Sequence, residues 1–575
     1  MSSKHKQNVI IYGTGEYGKL AYEILHNEYN IVAFSDSNID RIGKNIKGIE
    51  IVSPDRINEF CFSSIIVAIS RYREPAHSLV DRGLNNIRVF VPFYSKTNGS
   101  LTCELKDYYR KEAKKIDRQI IWNRPNKSQT KYNKNSFSNR KVLIIAPFFP
   151  PEGGGGVQRT LKFAKYLWRY GYEPVVLTKG YADLINGVDY SMESEKADFS
   201  CVTFQSVPVI FDEFDENDQN DLFSIIFEIT KNKKMEERFL GEYAKKKDRI
   251  LPDKWLIWTY NVIKELDNIL DITTFDVVFT TMSPYSSSIL GFYLKKKYGL
   301  KWVLDYRDSW TLNDYCMNTY YKGRMDSREL ERDLEISLIK QTDYVVAASE
   351  VICEDIKKNV NAVRTKTITN GYDESDFNSI EPITMPYFQI LYNGSVYANR
   401  DPSLMLEMIN CLIEEGLIDS ENIRIVFNGY IEKKVEALLI DKDKYNIVVM
   451  NGFLTHEKSI RMAMGANVLF LNGEYNEGAY YFYTGKIFEY IRTGKPIISF
   501  SSPYGVHYEM IEKTGLGITA TQDDKEKIKA FVLRYYKAWK SGFVPEKGNH
   551  ATGVFQFSRE YLTGQLARVF EEVLQ

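Results

Sequence analysis

Short runs of hydrophobic residues alternate along the chain with longer segments in which hydrophobic positions recur every three or four residues. The first series has runs in "NVIIYG", "NIVAFSD", "SSIIVAIS" and "RVFVP", with "YGKLAYEILHN" as its first helical segment. Runs of this length predict buried strands, and the segments between them predict helices. We therefore expect a small α/β unit that ends near Ser95.

Two further series of the same kind follow. The second begins at "KVLIIAPFF" and continues through "EPVVLT", "FDVVFTT", "KWVLDY", "DYVVAAS" and "TKTITNG". The third begins at "FQILYNGS" and continues through "IRIVFNG", "NIVVMNG", "ANVLFLN" and "KPIISF", and the chain closes with the helical "FSREYLTGQLARVFEEVLQ". Hydrophobic runs spaced by helical patterns are typical of parallel sheets covered on both faces.

These series divide the chain into five expected parts. They are a small Rossmann-like domain at 1–98, a basic helix and linker at 99–139, an α/β domain at 140–380, another at 381–545, and a C-terminal helix at 546–575 that packs back on the domain at 140–380. Residues 105–141 carry 12 Lys or Arg against three acidic residues. Such a run is typical of a solvated linker, and the alternative is contact with the anionic inner leaflet of a membrane.

Composition narrows the class of protein. The chain has 575 residues, too many for one core, and a net charge of −1, which argues against nucleic acid as a partner. Its six cysteines form no CxxC pair, so we expect a reducing compartment and neither disulfides nor a metal site. No apolar segment precedes the first strand, and no run reaches about 18 apolar residues. We expect a cytoplasmic protein that at most touches the inner face of the cell membrane.

A run of four glycines follows the first strand of the second series. In "PPEGGGGVQR", Gly153, Gly154, Gly155 and Gly156 lead into a helical pattern that contains Arg159. This context lets backbone N–H groups and the helix N-terminus face an anion or a sugar ring. The alternative is a flexible surface loop, because ordering four glycines costs backbone entropy.

A second polar group follows a buried strand in "WVLDYRDSW". Asp305, Arg307 and Asp308 stand where this strand ends, and ligands bind at the carboxyl ends of parallel strands. Alternation with period two puts Asp305 and Arg307 on one face, so we expect an internal ion pair between them. Both a structural and a catalytic role remain open for these residues.

Six motifs in order resemble those of family-4-like glycosyltransferases of the GT-B fold. They are "PFFPPEGGGGVQR", "WVLDYRDSW", "DYVVAASE", "ITNGYDESDF", "LYNGSVYANRDPSLML" and "TGKIFEYIRTGKPII", and the resemblance covers about residues 140–575. It implies two Rossmann-like domains that face each other across a cleft, with a UDP- or GDP-linked sugar held mainly by the second. It also implies a hexosyltransferase-type reaction with retained anomeric configuration and without a metal ion or further cofactor.

The resemblance also implies roles for individual residues. Glycines 153–156 match the family loop near the donor phosphates and the acceptor. Arg400 matches the basic residue that meets the diphosphate, and Lys486 is a second candidate for this contact. Glu489 matches the glutamate that hydrogen-bonds the nucleotide ribose. Arg, Lys and helix N-termini suit a leaving diphosphate because its charge grows in the transition state.

Two positions depart from the family pattern. The family has a second glutamate before the one matched by Glu489, and here Tyr481 stands eight residues before Glu489, so Glu477 is our candidate replacement. Relatives often have histidines where this chain has "MSPYSSSIL", with Tyr285 and Ser288 instead, and Tyr285 joins Asp305, Arg307 and Asp308 as a candidate of the acceptor side or cleft. These departures leave open a non-catalytic protein of GT-B fold that binds nucleotide-sugars.

The first unit has its own glycine loop. In "GTGEYG", Gly13, Gly15 and Gly18 follow a strand, and Asp36 ends the next strand, as expected for a ribose-binding carboxylate. The unit resembles the small Rossmann-like domains of sugar acetyltransferases and nucleotide-sugar dehydratases that build bacterial surface glycans. About 95 residues leave no room for a substrate domain, and no YxxxK motif is present, so we expect a ligand-binding or docking module. A Rossmann unit with an empty site remains open.

Together the patterns predict an α/β protein of GT-B architecture preceded by a small additional Rossmann-like domain. The predicted activity transfers a sugar from a nucleotide-sugar to a bacterial surface polysaccharide, such as capsule or lipopolysaccharide, or to a polyprenyl-linked oligosaccharide. The alternative function is a bifunctional protein whose first domain is an NAD(P)-dependent nucleotide-sugar enzyme.

Overall fold

The structure is a computed structural model of the chain. It describes the residues 6–26, 29–68, 79, 82, 84, 87–89, 119–123, 140–150, 152, 155–179, 192, 195–196, 199–205, 216–232, 251–253, 255–313, 327–397, 401–473, 483–502, 505–542 and 553–575. By their contacts these residues form two units, Met1–Lys114 and Lys115–Gln575.

The first unit is a six-stranded sheet with the strand order β3-β4-β2-β1-β5-β6. All neighbouring strands are parallel except β3 and β4. Its elements are β1 (Asn8–Tyr12), α1 (Glu16–Leu25), β2 (Asn30–Ser35), β3 (Asn45–Ile46), β4 (Ile49–Val52), β5 (Ser64–Val67) and β6 (Ile87–Val89). The hydrophobic runs at the start of the chain therefore form the predicted parallel strands, with Val9, Ile10 and Ile11 completely buried.

The second unit contains two lobes, each built on its own sheet. The sheet of the first lobe has eight strands in the order β14-β13-β12-β11-β8-β9-β10-β7, parallel except for β7 against β10. Its strands are β7 (Gln119–Asn123), β8 (Arg140–Ile145), β9 (Tyr172–Lys179), β10 (Ser200–Gln205), β11 (Val277–Met282), β12 (Lys301–Tyr306), β13 (Tyr344–Ala347) and β14 (Thr365–Thr367). Strand β7 lies in the segment where the sequence predicts a basic helix and linker.

The helices described in the first lobe cover the two faces of this sheet. They are α2 (Gly155–Leu167), α3 (Glu216–Thr230), α4 (Leu256–Ile269), α5 (Ser287–Tyr298), α6 (Arg328–Gln341) and α7 (Glu350–Asn359). One hydrophobic core lies on each face, and the central strands contribute to both. Double coverage explains why β8, β11 and β12 are rich in hydrophobic residues.

The second lobe has a six-stranded parallel sheet in the order β17-β16-β15-β18-β19-β20. Its strands are β15 (Phe388–Asn393), β16 (Ile423–Asn428), β17 (Val448–Gly452), β18 (Val468–Asn472), β19 (Ile497–Phe500) and β20 (Gly517–Ala520). Its helices are α8 (Ser403–Glu414), α9 (Lys433–Lys442), α10 (His456–Gly465), α11 (Gly485–Thr493), α12 (Val506–Thr514) and α13 (Lys525–Lys540). The order reverses at β15 and β18, a point where ligands bind in open parallel sheets.

Two neighbouring segments connect the lobes. Tyr372 N donates to Phe557 O at 3.0 Å, and Arg559 N donates to Tyr372 O at 2.8 Å. The last helix, α14 (Arg559–Leu574), begins at Ser558, whose side chain accepts a hydrogen bond from a backbone N–H of its first turn. Helix α14 buries Leu562, Leu566 and Phe570 in the core of the first lobe, so the chain ends on that lobe.

No helix in the described part of the chain is both long enough and apolar enough to cross a bilayer.

Candidate functional site

The run of glycines meets an arginine from another strand end. Gly153 and Gly154 lie outside the described residues, and Gly155 begins α2. A Cβ atom on Gly156 would collide with the guanidinium group of Arg307. Arg307 follows β12, and its Nη2 donates to Ser283 O at 3.1 Å. Gly156 is therefore needed because the Arg307 side chain lies against the backbone at the start of α2.

The expected ion pair between Asp305 and Arg307 is wrong, because Asp305 pairs with Arg159 of α2. Arg159 Nη2 lies 2.7 Å from Asp305 Oδ1, its Nε lies 3.0 Å from Oδ2, and both side chains are completely buried. Thr281 Oγ1 also donates to Asp305, at 3.0 Å. Strand β12 ends at Tyr306, so the period-two alternation does not extend to Arg307. Asp305 thus fixes α2 to the sheet.

Two buried carboxylates of α6 hold the loop that follows β12. Glu335 accepts hydrogen bonds from Tyr306 Oη at 3.0 Å and from Thr311 N at 2.8 Å. Burial raises the pKa of Glu335 to about 7, although these hydrogen bonds oppose the shift. Glu331 accepts from Trp310 Nε1 at 3.1 Å. Hydrogen bonds to α6 therefore hold this loop in place, as a functional site at a strand end requires.

The other cleft candidates of the first lobe contact this loop. The ring of Tyr285 stacks on Trp310 with centroids 4.5 Å apart, and its hydroxyl donates to Ser309 O at 2.9 Å. Tyr285 is buried and so supports the loop. The side chain of Asp308 is 46% exposed and lies 3.5 Å from Arg307 Nε. Asp308 is therefore partly open to solvent at the end of β12.

Helix α11 carries one basic and one acidic candidate residue of the second lobe. Lys486 lies in its first turn, and Glu489 follows three residues later on the same face. Lys486 Nζ donates to Tyr392 Oη at 2.7 Å, and a Cβ on Gly394 would lie 2.6 Å from Nζ. Gly394 follows β15 with a φ of 118°, so the ammonium group lies at the carboxyl edge of the sheet.

Glu489 pairs with a histidine that sequence reasoning missed. Nε2 of His456, the first residue of α10, lies 2.8 Å from Oε1 of Glu489. Burial lowers the pKa of His456, but the charge of Glu489, the hydrogen bond to Glu489 and the charge of Asp376 together outweigh burial, so that the pKa rises to about 9. The signal was the position of His456 in "GFLTHEKS", shortly after β17 ends at the carboxyl edge of the sheet.

A buried ionic cluster joins α2 to the connection between the lobes. Lys162 Nζ lies 2.7 Å from Asp373, 2.9 Å from Glu195 and 3.2 Å from Asp376. Lys165 Nζ lies 2.9 Å from Asp373 and 3.0 Å from Glu195. Burial works against ionisation of Asp373, but the two lysines hold its pKa well below the ordinary range. The helix that carries the glycines is thereby tied to the second lobe.

Arg559 lies near the same cluster at the start of α14. Its side chain is buried, and burial, followed by repulsion from Arg159, lowers its pKa to about 9. Within the described residues Arg559 Nη1 has no hydrogen-bond partner. The negative charges of Asp373, Glu489 and Asp376 act in the opposite direction and raise the pKa of Arg559.

Arg400, Glu477 and Tyr481 lie outside the described residues. The stretch that contains Glu477 and Tyr481 is flanked by Gly473 and Thr484, and both flanks contact His507. Thr484 N lies 3.3 Å from His507 Nε2, and a Cβ on Gly473 would lie 3.1 Å from His507 Nδ1. Among the described residues no group of His, Cys, Asp and Glu could hold a metal ion.

In the first unit the glycine loop packs on itself. Gly13 has a φ of 104°, and a Cβ on Gly18 would collide with the carbonyl oxygen of Gly13. A Cβ on Gly15 would meet nothing within 4 Å. Gly13 thus adopts a positive φ that favours glycine, and Gly18 allows its own backbone to pack against that of Gly13. The space next to Gly15, before α1, is open.

Asp36 is engaged by the loop of its own unit. It accepts hydrogen bonds from Thr14 N at 3.1 Å, from Asn38 N at 2.9 Å and from Arg41 Nη1 at 3.1 Å, and also from the Thr14 hydroxyl. Burial raises its pKa, but these bonds outweigh burial and lower it. Because Oδ2 accepts from Thr14 and Arg41 and Oδ1 accepts from Asn38, Asp36 holds the loop of its own unit in place.

Comparisons with known proteins agree with this architecture. Residues 5–90 match the family model described as C2185-like, N-terminal. No curated protein sequence matches the chain. A glycosyltransferase from Rickettsia africae ESF-5 superposes with a TM-score of 0.50 at 13% identity, over 76% of this chain and 100% of that one. A sucrose-phosphate synthase from Thermosynechococcus elongatus gives a TM-score of 0.48 at 14% identity, over 76% of this chain and 99% of that one.

The likeness to the Rickettsia africae glycosyltransferase establishes the fold. The two lobes of the second unit have the GT-B architecture, and a small Rossmann-like unit precedes them, so the predicted fold class is confirmed.

Proposed function

We propose that the second unit transfers a sugar from a nucleotide-sugar to an acceptor hydroxyl. The observation that carries the proposal is that Lys486 and Glu489 lie on the same face of α11. This face lies at the carboxyl edge of a sheet in a GT-B fold. The solved Rickettsia protein that shares this fold is called a glycosyltransferase. A cation and a carboxylate one turn apart suit the diphosphate and the ribose diol of a single nucleotide.

Each charged group of the site has a role in this proposal. Lys486, together with Arg400, binds the diphosphate of a UDP- or GDP-linked sugar, and Glu489 accepts the ribose hydroxyls. The bond between the anomeric carbon and the diphosphate oxygen breaks, the acceptor oxygen bonds to that carbon, and the acceptor proton is released. Negative charge grows on the diphosphate as this bond breaks, so fixed cations and the start of α2 stabilise the transition state.

The finer features of the reaction belong to the same proposal. We take the configuration at the anomeric carbon to be retained and the chemistry to need no metal ion, as in the family that the motifs resemble. Glu477 is the proposed substitute for the glutamate that Tyr481 displaces. The proposed acceptor is a bacterial surface polysaccharide or a polyprenyl-linked oligosaccharide. Cytoplasmic location and contact of the basic segment with an anionic leaflet stay predictions from the sequence.

The test is donor-dependent release of UDP or GDP by the full chain across a panel of nucleotide-sugars. We expect turnover with one donor, and loss of turnover in Glu489→Ala and in Arg400→Ala. Lys458→Gln, a change at an exposed position of α10, is the control and should keep wild-type turnover. Nucleotide binding without release from any donor, with and without added glycan acceptors, would identify the non-catalytic binding protein instead.

For the first unit we propose a ligand-binding or docking module. Its carboxylate Asp36 braces its own loop, which disfavours an NAD(P)-dependent enzyme. Titration of the full chain with NADH or NADPH, followed by nicotinamide fluorescence, checks this assignment. We expect no change, whereas tight binding would restore the bifunctional alternative.

A further inference from the structure

His456 and Glu489 come from two different helices, and each stands where its helix leaves the carboxyl edge of the sheet. Helix α10 begins at His456, and the side chain of Thr455 caps it by accepting a hydrogen bond from Lys458 N. Glu489 lies in the second turn of α11, which packs against α10. A capped helix start holds the histidine in one place, so the two side chains meet in a defined geometry.

The contact uses one oxygen of the carboxylate. His456 Nε2 lies 2.8 Å from Glu489 Oε1, and within the described residues no other group bonds to Glu489. The side chains of His456 and Glu489 are 21% and 20% exposed, so both are partly accessible to solvent. One carboxylate oxygen is therefore fixed by the protein, and the other remains free to accept hydrogen bonds from a ligand.

The charges around His456 keep it a donor. Glu489 of α11 and Asp376 of the connection between the lobes attract its proton, while Lys162 of α2 opposes them, and the pKa of His456 is raised to about 9. At neutral pH the imidazole is therefore protonated, and both of its nitrogens donate. A charge-assisted bond of this kind is short and directional, and it limits the rotation of the carboxylate.

We propose that His456 is a positioning residue that turns the Glu489 carboxylate toward the vicinal hydroxyls of the nucleotide ribose. The inference rests on the proposed function, because it presupposes a nucleotide in this site. Glu489 would recognise the diol only while His456 holds Oε1, which leaves Oε2 pointing at the two hydroxyls. The pair, rather than Glu489 alone, would then distinguish a ribonucleotide from a nucleotide without these hydroxyls.

The test is calorimetric titration of the full chain with UDP and GDP and with their 2′,3′-dideoxy forms. Hydrogen bonds to a charged group contribute enough for the wild type to prefer the ribonucleotide by about tenfold to a hundredfold. In His456→Ala we expect this preference to fall to about threefold or less, while the affinity for the dideoxy form stays unchanged. His456→Gln, whose amide can donate in place of Nε2, should restore most of the preference.

The controls separate the possible failures. Lys458→Gln changes an exposed side chain of the same helix and should keep the wild-type preference. Equal loss of affinity for both nucleotide forms in His456→Ala, without rescue by His456→Gln, would reveal a merely structural role and overturn the inference. An unchanged preference in His456→Ala would also overturn it while leaving the proposed function intact. Failure of the wild type to bind any nucleoside diphosphate would overturn both.

Discussion

The two glycine loops of this chain look alike in sequence, but different groups lie against them. In the first unit Gly18 lies against Gly13 and Asp36 bonds to Thr14, so the loop packs on itself. In the second unit Gly156 lies against Arg307, a residue from the end of a distant strand. Each loop follows a central strand that pairs in parallel with both of its neighbours, so their position alone does not distinguish them.

The two loops also differ in the charged side chains that lie near them. Helix α2 connects the glycines to two places, through Arg159 to β12 and through Lys162 to the connection between the lobes. In the first unit, the charged partner of the loop is Arg41, whose side chain is 47% exposed. A glycine motif therefore indicates only that another group lies close to the backbone. The identity of that group shows whether the loop belongs to a larger site.

The largest expected difference between the loops concerns their carboxylates. Asp305→Asn leaves Arg159 buried without its counter-charge, and breaking such a pair costs about 3–5 kcal/mol of folding free energy. Asp36→Asn loses bonds to a half-exposed arginine and should cost about 1–2 kcal/mol. Hydrogen exchange of the full chain checks both values, read on strands β8 and β12 for the first variant and on β1 and β2 for the second. Similar costs for the two variants would contradict the comparison.

Two glycines of the first loop form a matched pair. A methyl group on Gly18 would meet the backbone of Gly13, so Gly18→Ala should destabilise the first unit by about 1–3 kcal/mol. Gly15→Ala places its methyl group in open space and should change stability by less than about 0.5 kcal/mol. Exchange rates in β1 and β2 provide the measurement. Destabilisation by Gly15→Ala as large as that by Gly18→Ala would show that the loop is packed differently.

Gly156→Ala tests the second loop. The new methyl group displaces a flexible guanidinium group rather than backbone, so stability should change little. Because Arg307 must leave the start of α2, we expect donor-dependent nucleotide release to fall by about tenfold, which corresponds to about 1.4 kcal/mol. The measurement compares release rates and melting temperatures of Gly156→Ala and Gly15→Ala. A wild-type rate in Gly156→Ala would separate Arg307 from the reaction.

A further expected effect is a pH dependence of stability in the second unit. The folded pKa of His456 is about 9, above the ordinary value of about 6.5, so its stabilisation is complete below pH 6.5 and is lost as the pH rises through 9. We expect the difference in unfolding free energy between wild type and His456→Gln to shrink by about 3 kcal/mol over this range. Urea unfolding at several pH values measures it. A difference that grows with pH would contradict the assigned charge.

Much of the fold is visible in the sequence because its central strands are buried on both faces. Strands β8, β11, β12 and β15 are mostly buried, and each was predicted from its run of residues. Strand β7 was missed because "QIIWN" is a short apolar run inside a basic segment, and its antiparallel partner β10 lies far along the chain. Local patterns report burial, but they do not report the pairing of distant edge strands.

The candidate site was less predictable than the fold. The roles of Lys486 and Glu489 came from the family resemblance, and the structure adds their neighbours, Tyr392 and His456. The partner of Asp305 stands 146 residues away on a helix, and the sequence contains no signal for such a contact. Only the three-dimensional crossing of α2 over β12 brings these charges together.

Hydrogen exchange of the full chain, with and without a saturating nucleoside diphosphate, tests most directly which glycine loop belongs to the nucleotide site. The account predicts slower exchange in residues 155–167, 391–396 and 484–492, and unchanged exchange in residues 8–36. Slower exchange confined to residues 8–36 would contradict it and place the nucleotide on the first unit instead.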